Sequence, residues 1–144
     1  MSNERGNVWI VLNGEIFNHE DLRRELQAAG HQFRSQRSDT ETVLHAYEEW
    51  EQDCAQRLRG QFGFAVWDAS KQRLMLARDH FGIVPLYYAQ VGERLYFASE
   101  VKSLLACPDI RREIDHEALD MYLTFRYIPG PHTALAAIKN VSPS

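Results

Sequence analysis

The sequence is poor in sulfur, has no long apolar run and carries no strong excess of one charge. Cys54 and Cys107 are its two cysteines. Two thiols cannot build a disulfide framework, which suits a reducing cytoplasm. The longest purely apolar stretches are a handful of residues, far short of the ~20 that a membrane-spanning helix needs. The first residues, Met1-Ser-Asn-Glu-Arg, have no apolar secretory segment. Twenty acidic against sixteen basic side chains give a net charge of −4, so electrostatics favour neither nucleic acid nor an anionic membrane as a partner. The glycine-rich phosphate loop, the dinucleotide fingerprint and the nucleophile elbow of serine hydrolases are all missing. Of the six histidines, the nearest two, His19 and His31, stand twelve positions apart. None pairs with another His or a Cys at a metal-ligand spacing, so no metal site is expected.

What remains is an ordinary globular composition. The 144 residues are 44% apolar and 25% charged, enough for one domain with its own core. Asn7 to Leu12 reads as a strand, broken by Asn13-Gly14-Glu15. Asn18 then looks like an N-cap and Gly30 like a C-terminal stop, with Leu22, Leu26 and Ala29 on one helical face. Ser38 and Glu41 have the spacing of a capping box for a helix carrying Val43, Leu44, Tyr47 and Trp50. Gln61 to Ala69 and Arg73 to Arg78 form a hairpin around Ser70-Lys71-Gln72, and Pro85 to Ala89 and Leu95 to Ala98 form another around Gly92-Glu93. Several of these strands are apolar on both faces, which predicts a sheet covered on both sides. Helices over Ser99 to Ala106 and Glu117 to Phe125 follow. From Ile128-Pro129-Gly130-Pro131 the chain reads as a turn and an irregular tail. This order implies a layered α+β domain.

Three segments are candidates for chemistry. Asn13-Gly14-Glu15 at a strand end can aim an amide side chain and a backbone N–H at one oxygen, as an oxyanion hole does; it is equally a plain turn. Asp39 at a helix start can hold an ammonium group, while Ser38 and Glu41 cap the helix. Arg78-Asp79-x-x-Gly82-x-x-Pro85 suggests a tight corner with an internal ion pair. Arg23-Arg24 and Arg57-x-Arg59 read as solvated helix faces. Cys54 and Cys107 read as small apolar fillers.

Taken together, the segments say more. Asn13-Gly-Glu-Ile-Phe-Asn-His19, Ser38-Asp-Thr-Glu41, Leu58-Arg-Gly-Gln-Phe-Gly-Phe-Ala-Val-Trp-Asp68, Arg78-Asp-x-x-Gly-Ile-x-Pro-Leu-Tyr-Tyr88, Phe97-Ala-Ser-Glu-Val-Lys-Ser-Leu-Leu105 and Phe125-Arg-Tyr-Ile-Pro-Gly-Pro131 follow in that order. The series resembles the glutaminase domain of glutamine-hydrolysing asparagine synthetases, which are class II glutamine amidotransferases, over about Val8 to Val141. The resemblance implies an αββα sandwich, two antiparallel sheets between helical layers, of the N-terminal-nucleophile hydrolase type. It implies L-glutamine as substrate and a synthetase domain as partner, which would use the released ammonia to amidate aspartate. ATP and Mg would belong to that synthetase domain, with no cofactor on this chain. By position, Asn13 and Gly14 would form the oxyanion hole, Glu15 would line the glutamine pocket and Asp39 would hold the glutamine α-ammonium. The resemblance leaves room for a homodimer.

One departure qualifies the match. The family's nucleophile is a cysteine directly after the initiator methionine, where its own α-amine, with a pKa of about 8, serves as base. Here position 2 is serine, only eleven residues before Asn13. The expected organisation is therefore an irregular or disordered start over 1–7, a partial amidotransferase domain over 8–127 lacking its first strands, and an irregular tail over 128–144. The expected function is a partial glutaminase domain, inactive as an isolated chain. The alternative is a degenerate amidotransferase-like binding or regulatory module without catalysis.

Overall fold

β1 runs over Val8–Ile16, four residues beyond the end expected for it. Asn13-Gly14-Glu15 does not break the strand, because each of these residues pairs across to the next strand, β2 (Gly60–Asp68). Ladder pairing overrides the turn preference of Asn-Gly, and Gly14, at φ +121°, absorbs the distortion. β2 pairs in turn with β3 (Arg73–Arg78), giving an antiparallel sheet in the order β1-β2-β3. The β2–β3 turn is tied by the Asp68 carboxylate, which accepts the amides of Ser70 and Lys71 at 2.9 and 3.1 Å.

The structure, a computed structural model, describes residues 1–143. Packing divides them into two compact units, Met1–Val84 with Pro143, and Pro85–Ser142. In the first unit, α1 (His19–Ala28) and α2 (Asp39–Trp50) share a core with one face of the sheet. Ile10, Ile16, Leu26, Val43, Leu44, Phe62, Phe64 and Val66 are buried in it. The short α3 (Cys54–Arg57) leads into β2. The other sheet face is buried as expected at Gly63 and Ala65 but open at its flanks. Trp9, Val11 and Trp67 are 53%, 58% and 38% exposed there, although Trp9 lies directly opposite Trp67. Before β1, Ser2 bridges to Trp9, and Asn3 is buried with its side-chain oxygen accepting the amides of Asn7 and Val8.

The caps also differ from expectation. Ser38 Oγ caps α2 by accepting the Glu41 amide at 3.2 Å, but the Glu41 carboxylate does not return to Ser38. It binds the preceding loop instead, accepting the amides of Arg34 and Ser35 at 2.6 and 2.9 Å and the Ser35 hydroxyl. Asn18 precedes α1 without a side-chain capping bond. Its side chain reaches forty residues onward, donating to Arg57 O at 3.0 Å and accepting the Arg59 amide at 2.8 Å. The basic pairs are not idle surface either. Arg57 binds Glu25 and stacks 3.8 Å over the Trp50 ring, and Arg23 lies 4.2 Å over Phe33.

In the second unit, β4 (Tyr87–Val91) and β5 (Arg94–Ala98) form the expected hairpin, followed by α4 (Val101–Leu104) and α5 (His116–Phe125). Asp115 caps α5 by accepting the Ala118 amide at 3.1 Å. The segment expected to be an irregular tail contains a further strand, β6 (Lys139–Asn140), which pairs with Tyr87 and Tyr88 and sets the order β5-β4-β6. Ile138 beside it is fully buried. Two residues are too few to show a period, so this strand leaves no trace in the sequence pattern. Among the described residues no helix is long and apolar enough to cross a membrane.

Candidate functional site

Asn13, Gly14 and Glu15 lie near the end of β1, opposite Gly63, Phe62 and Gln61, and all three are exposed. Two glycines let the strands approach closely there. A Cβ on Gly14 would stand 2.0 Å from Gln61 O, and one on Gly60 would stand 2.2 Å from Glu15 O. Neither space admits a side chain. The strand end thus presents backbone and short polar groups rather than bulk.

Asp39 reaches the same strand end from α2. Its Oδ2 accepts the amide of Ile16, one residue past Glu15, at 3.3 Å, and its Oδ1 accepts the Thr40 amide at 2.7 Å. The carboxylate stands in the first turn of α2, where the helix dipole favours negative charge. It remains half-buried, with a face open to solvent. Glu41, two residues on in the same first turn, shapes the loop that enters this helix. Burial pushes its carboxyl up, but the hydrogen bonds from Ser35 and Arg34 outweigh that and hold it below its ordinary value. All four residues expected at the site therefore fall on two adjoining segments joined by one hydrogen bond.

Arg78 and the residues after β3 build a buttress. Arg78 donates to Val84 O at 2.8 Å and to Gly82 O. Asp79 accepts four backbone amides, from Phe62 and Phe81 at 3.3 and 3.2 Å and from Ile83 and Val84 at 3.0 Å each. Pairing places Arg78 in one cross-strand row with Gly63 and Asn13, so the corner supports the strand register beneath the candidate oxyanion hole. The Gly82 and Pro85 spacing signals a corner, and of the groups that tie it only the Phe62 amide lies far away in sequence.

Ser2 and Cys54 carry a hydroxyl and a thiol in the first unit. Ser2 bridges to Trp9, four strand positions or roughly 13 Å from Asn13. Cys54 is completely buried in the core, and burial pushes its thiol up to about 12, so it is protonated at neutral pH.

The whole chain, residues 1–144, matches the sequence model of the glutamine amidotransferase domain. It is 45% identical over 144 residues to asparagine synthetase [glutamine-hydrolyzing] 1 of Bacillus subtilis, covering 99% of this chain and 22% of that protein. It is 43% identical over 136 residues to asparagine synthetase [glutamine-hydrolyzing] 3 of the same organism, covering 94% and 22%. It thus spans about a fifth of the length of these curated relatives. Among solved structures, the glutamine phosphoribosylpyrophosphate amidotransferase of B. subtilis superposes with a TM-score of 0.60 at 21% identity, over 72% of this chain and 24% of that one. That likeness establishes the fold, a mixed α/β arrangement of two antiparallel sheets and helices. The chain belongs to the glutamine amidotransferase domain family and has the N-terminal-nucleophile hydrolase fold of its amidotransferase neighbours.

Proposed function

We propose that this chain is part of the glutaminase half of a glutamine-dependent asparagine synthetase, and that it binds L-glutamine at the end of β1. The observation that carries this reading is the Asp39–Ile16 hydrogen bond, which sets a carboxylate beside the Asn13-Gly14-Glu15 segment. In the reading, the Asn13 amide and the Gly14 N–H bind the oxygen that becomes negative when the glutamine carboxamide is attacked. Glu15 lines the pocket, and Asp39 pairs with the substrate α-ammonium. No cofactor takes part in these contacts. Ammonia released in the intact protein passes to a synthetase domain, which uses ATP and Mg to amidate a carboxylate. The cytoplasm suits two cysteines that are both free thiols.

The chain alone is proposed to bind glutamine without hydrolysing it. Support comes from the buried, protonated Cys54 and from the distance of Ser2. Titrating purified 1–144 with L-glutamine by calorimetry or NMR tests the binding. Binding is expected in the wild type, with about a tenfold loss or more in Asp39→Asn and in Asn13→Ala. Equal affinity in all three chains would refute the site. Glutamate release by the wild type, lost in Asn13→Ala, would refute the proposed inactivity.

A further inference from the structure

A second polar cluster lies toward the other end of β1, around a cleft of about 520 Å³ that Val8 also lines. Val8 is five strand positions, roughly 16 Å, from Asn13. His45 and Glu48 project from α2 three residues apart, and His31 reaches them from the segment after α1. One ligating atom from each of the three lies within 4.8 Å of the others. His45 Nδ1 stands 2.8 Å from Glu48 Oε2, and His31 Nδ1 stands 3.9 Å from the same oxygen. Two ligands on a tetrahedral ion with bonds of about 2.0–2.1 Å are about 3.3 Å apart, a spacing these two distances bracket.

The surroundings are organised as a ligand shell. Asn3 Nδ2 donates to Glu48 Oε1 at 2.7 Å, leaving Oε2 to face the two imidazoles. His31 Nε2 lies 3.1 Å from Glu49 Oε2. His45 is 99% buried, and its Nδ1 is the ring nitrogen that faces Glu48.

We propose that His31, His45 and Glu48 form a binding site for one divalent transition-metal ion of the zinc class, with the fourth position open to the cleft. Two imidazoles and a carboxylate suit zinc or cobalt rather than magnesium or calcium, which prefer all-oxygen shells. The ion clamps the segment after α1 to α2. The site shares no residue with the glutamine pocket, so each can be present without the other.

Titration of the metal-free chain with Co2+ and Zn2+ tests the proposal. One Co2+ per chain is expected, with the visible bands of tetrahedral nitrogen–oxygen ligation, displaced by Zn2+, and Zn2+ raises the melting temperature. Asn3→Ala, which touches only the outer shell, is expected to weaken zinc about tenfold or more. His31→Asn and Glu48→Gln are expected to weaken it further and to abolish the cobalt bands. Circular dichroism of the metal-free variants shows whether each still folds; should one unfold, the other and Asn3→Ala carry the test. A wild type without cobalt bands would overturn the site. So would equal zinc affinity in folded His31→Asn and Glu48→Gln, or binding lost instead by His132→Asn, which touches Asp115 in the other unit.

Discussion

The carboxylate of Asp39 accepts the backbone amide of Ile16 across 23 positions of sequence, at 3.3 Å. This bond joins the first turn of α2 to the end of β1. A carboxylate thereby stands beside the small polar segment Asn13-Gly14-Glu15. Asp39→Asn keeps an acceptor for the Ile16 amide but removes the charge. It is expected to leave the melting temperature within a degree or two while glutamine binding weakens. Asp39→Ala removes both, so the Ile16 amide should also lose protection in hydrogen exchange, at a stability cost of about 1 kcal/mol.

Gly14→Ala is expected to be far more damaging than Gly30→Ala. Both glycines have positive φ, +121° and +103°, so both substitutions carry backbone strain of roughly 1–3 kcal/mol. At Gly30 nothing lies within 4 Å of the new methyl, whereas at Gly14 it meets Gln61 O at 2.0 Å. The β1–β2 ladder must then separate at the site. Denaturant melts should show the larger loss for Gly14→Ala, and glutamine binding should vanish with it.

Asp79→Asn should cost about 3 kcal/mol, because one carboxylate serves four amides and an amide side chain presents donors where acceptors are needed. Burial raises the Asp79 carboxyl, but those amides outweigh it and the net shift is downward. Glu41 is lowered for the same kind of reason. The unfolded chain therefore binds protons more readily than the native one at these two carboxylates. The stabilisation is complete above their unfolded values of about 4 and is lost as pH falls through the lower native values. Melting temperatures measured from pH 6 downward should fall below about pH 4, with a shallower slope in Asp79→Asn.

Cys54 should resist thiol reagents in the native state. Burial places the sulfur in the core and pushes the thiol up to about 12, so little thiolate forms until the core opens. With an aromatic disulfide reagent at pH 8, the half-buried Cys107 should react first. Cys54 should follow only at the rate of unfolding, accelerated by denaturant. Rapid modification of both would contradict this burial.

Local chemistry in the chain already determines much of this molecule. Alternating and contiguous apolar residues mark β2, β3, β4 and β5 to within two or three positions, because a strand's side-chain period is short and regular. Asn13, Gly14, Glu15 and Asp39 are legible because ordered motifs carry a family resemblance that no spacing rule supplies. Partnership is what tertiary structure alone decides. β1 continues through Asn-Gly because β2 lies alongside it, Glu41 leaves its cap for the loop at Arg34 and Ser35, and the tail supplies β6 to β4. His31 and His45, fourteen positions apart with no ligand spacing, meet only when α1 and α2 fold onto one core. Glu41 finds its partners six and seven residues back, but the other outcomes depend on a hydrogen-bond or packing partner distant in sequence, and a periodic pattern cannot encode which distant group will arrive.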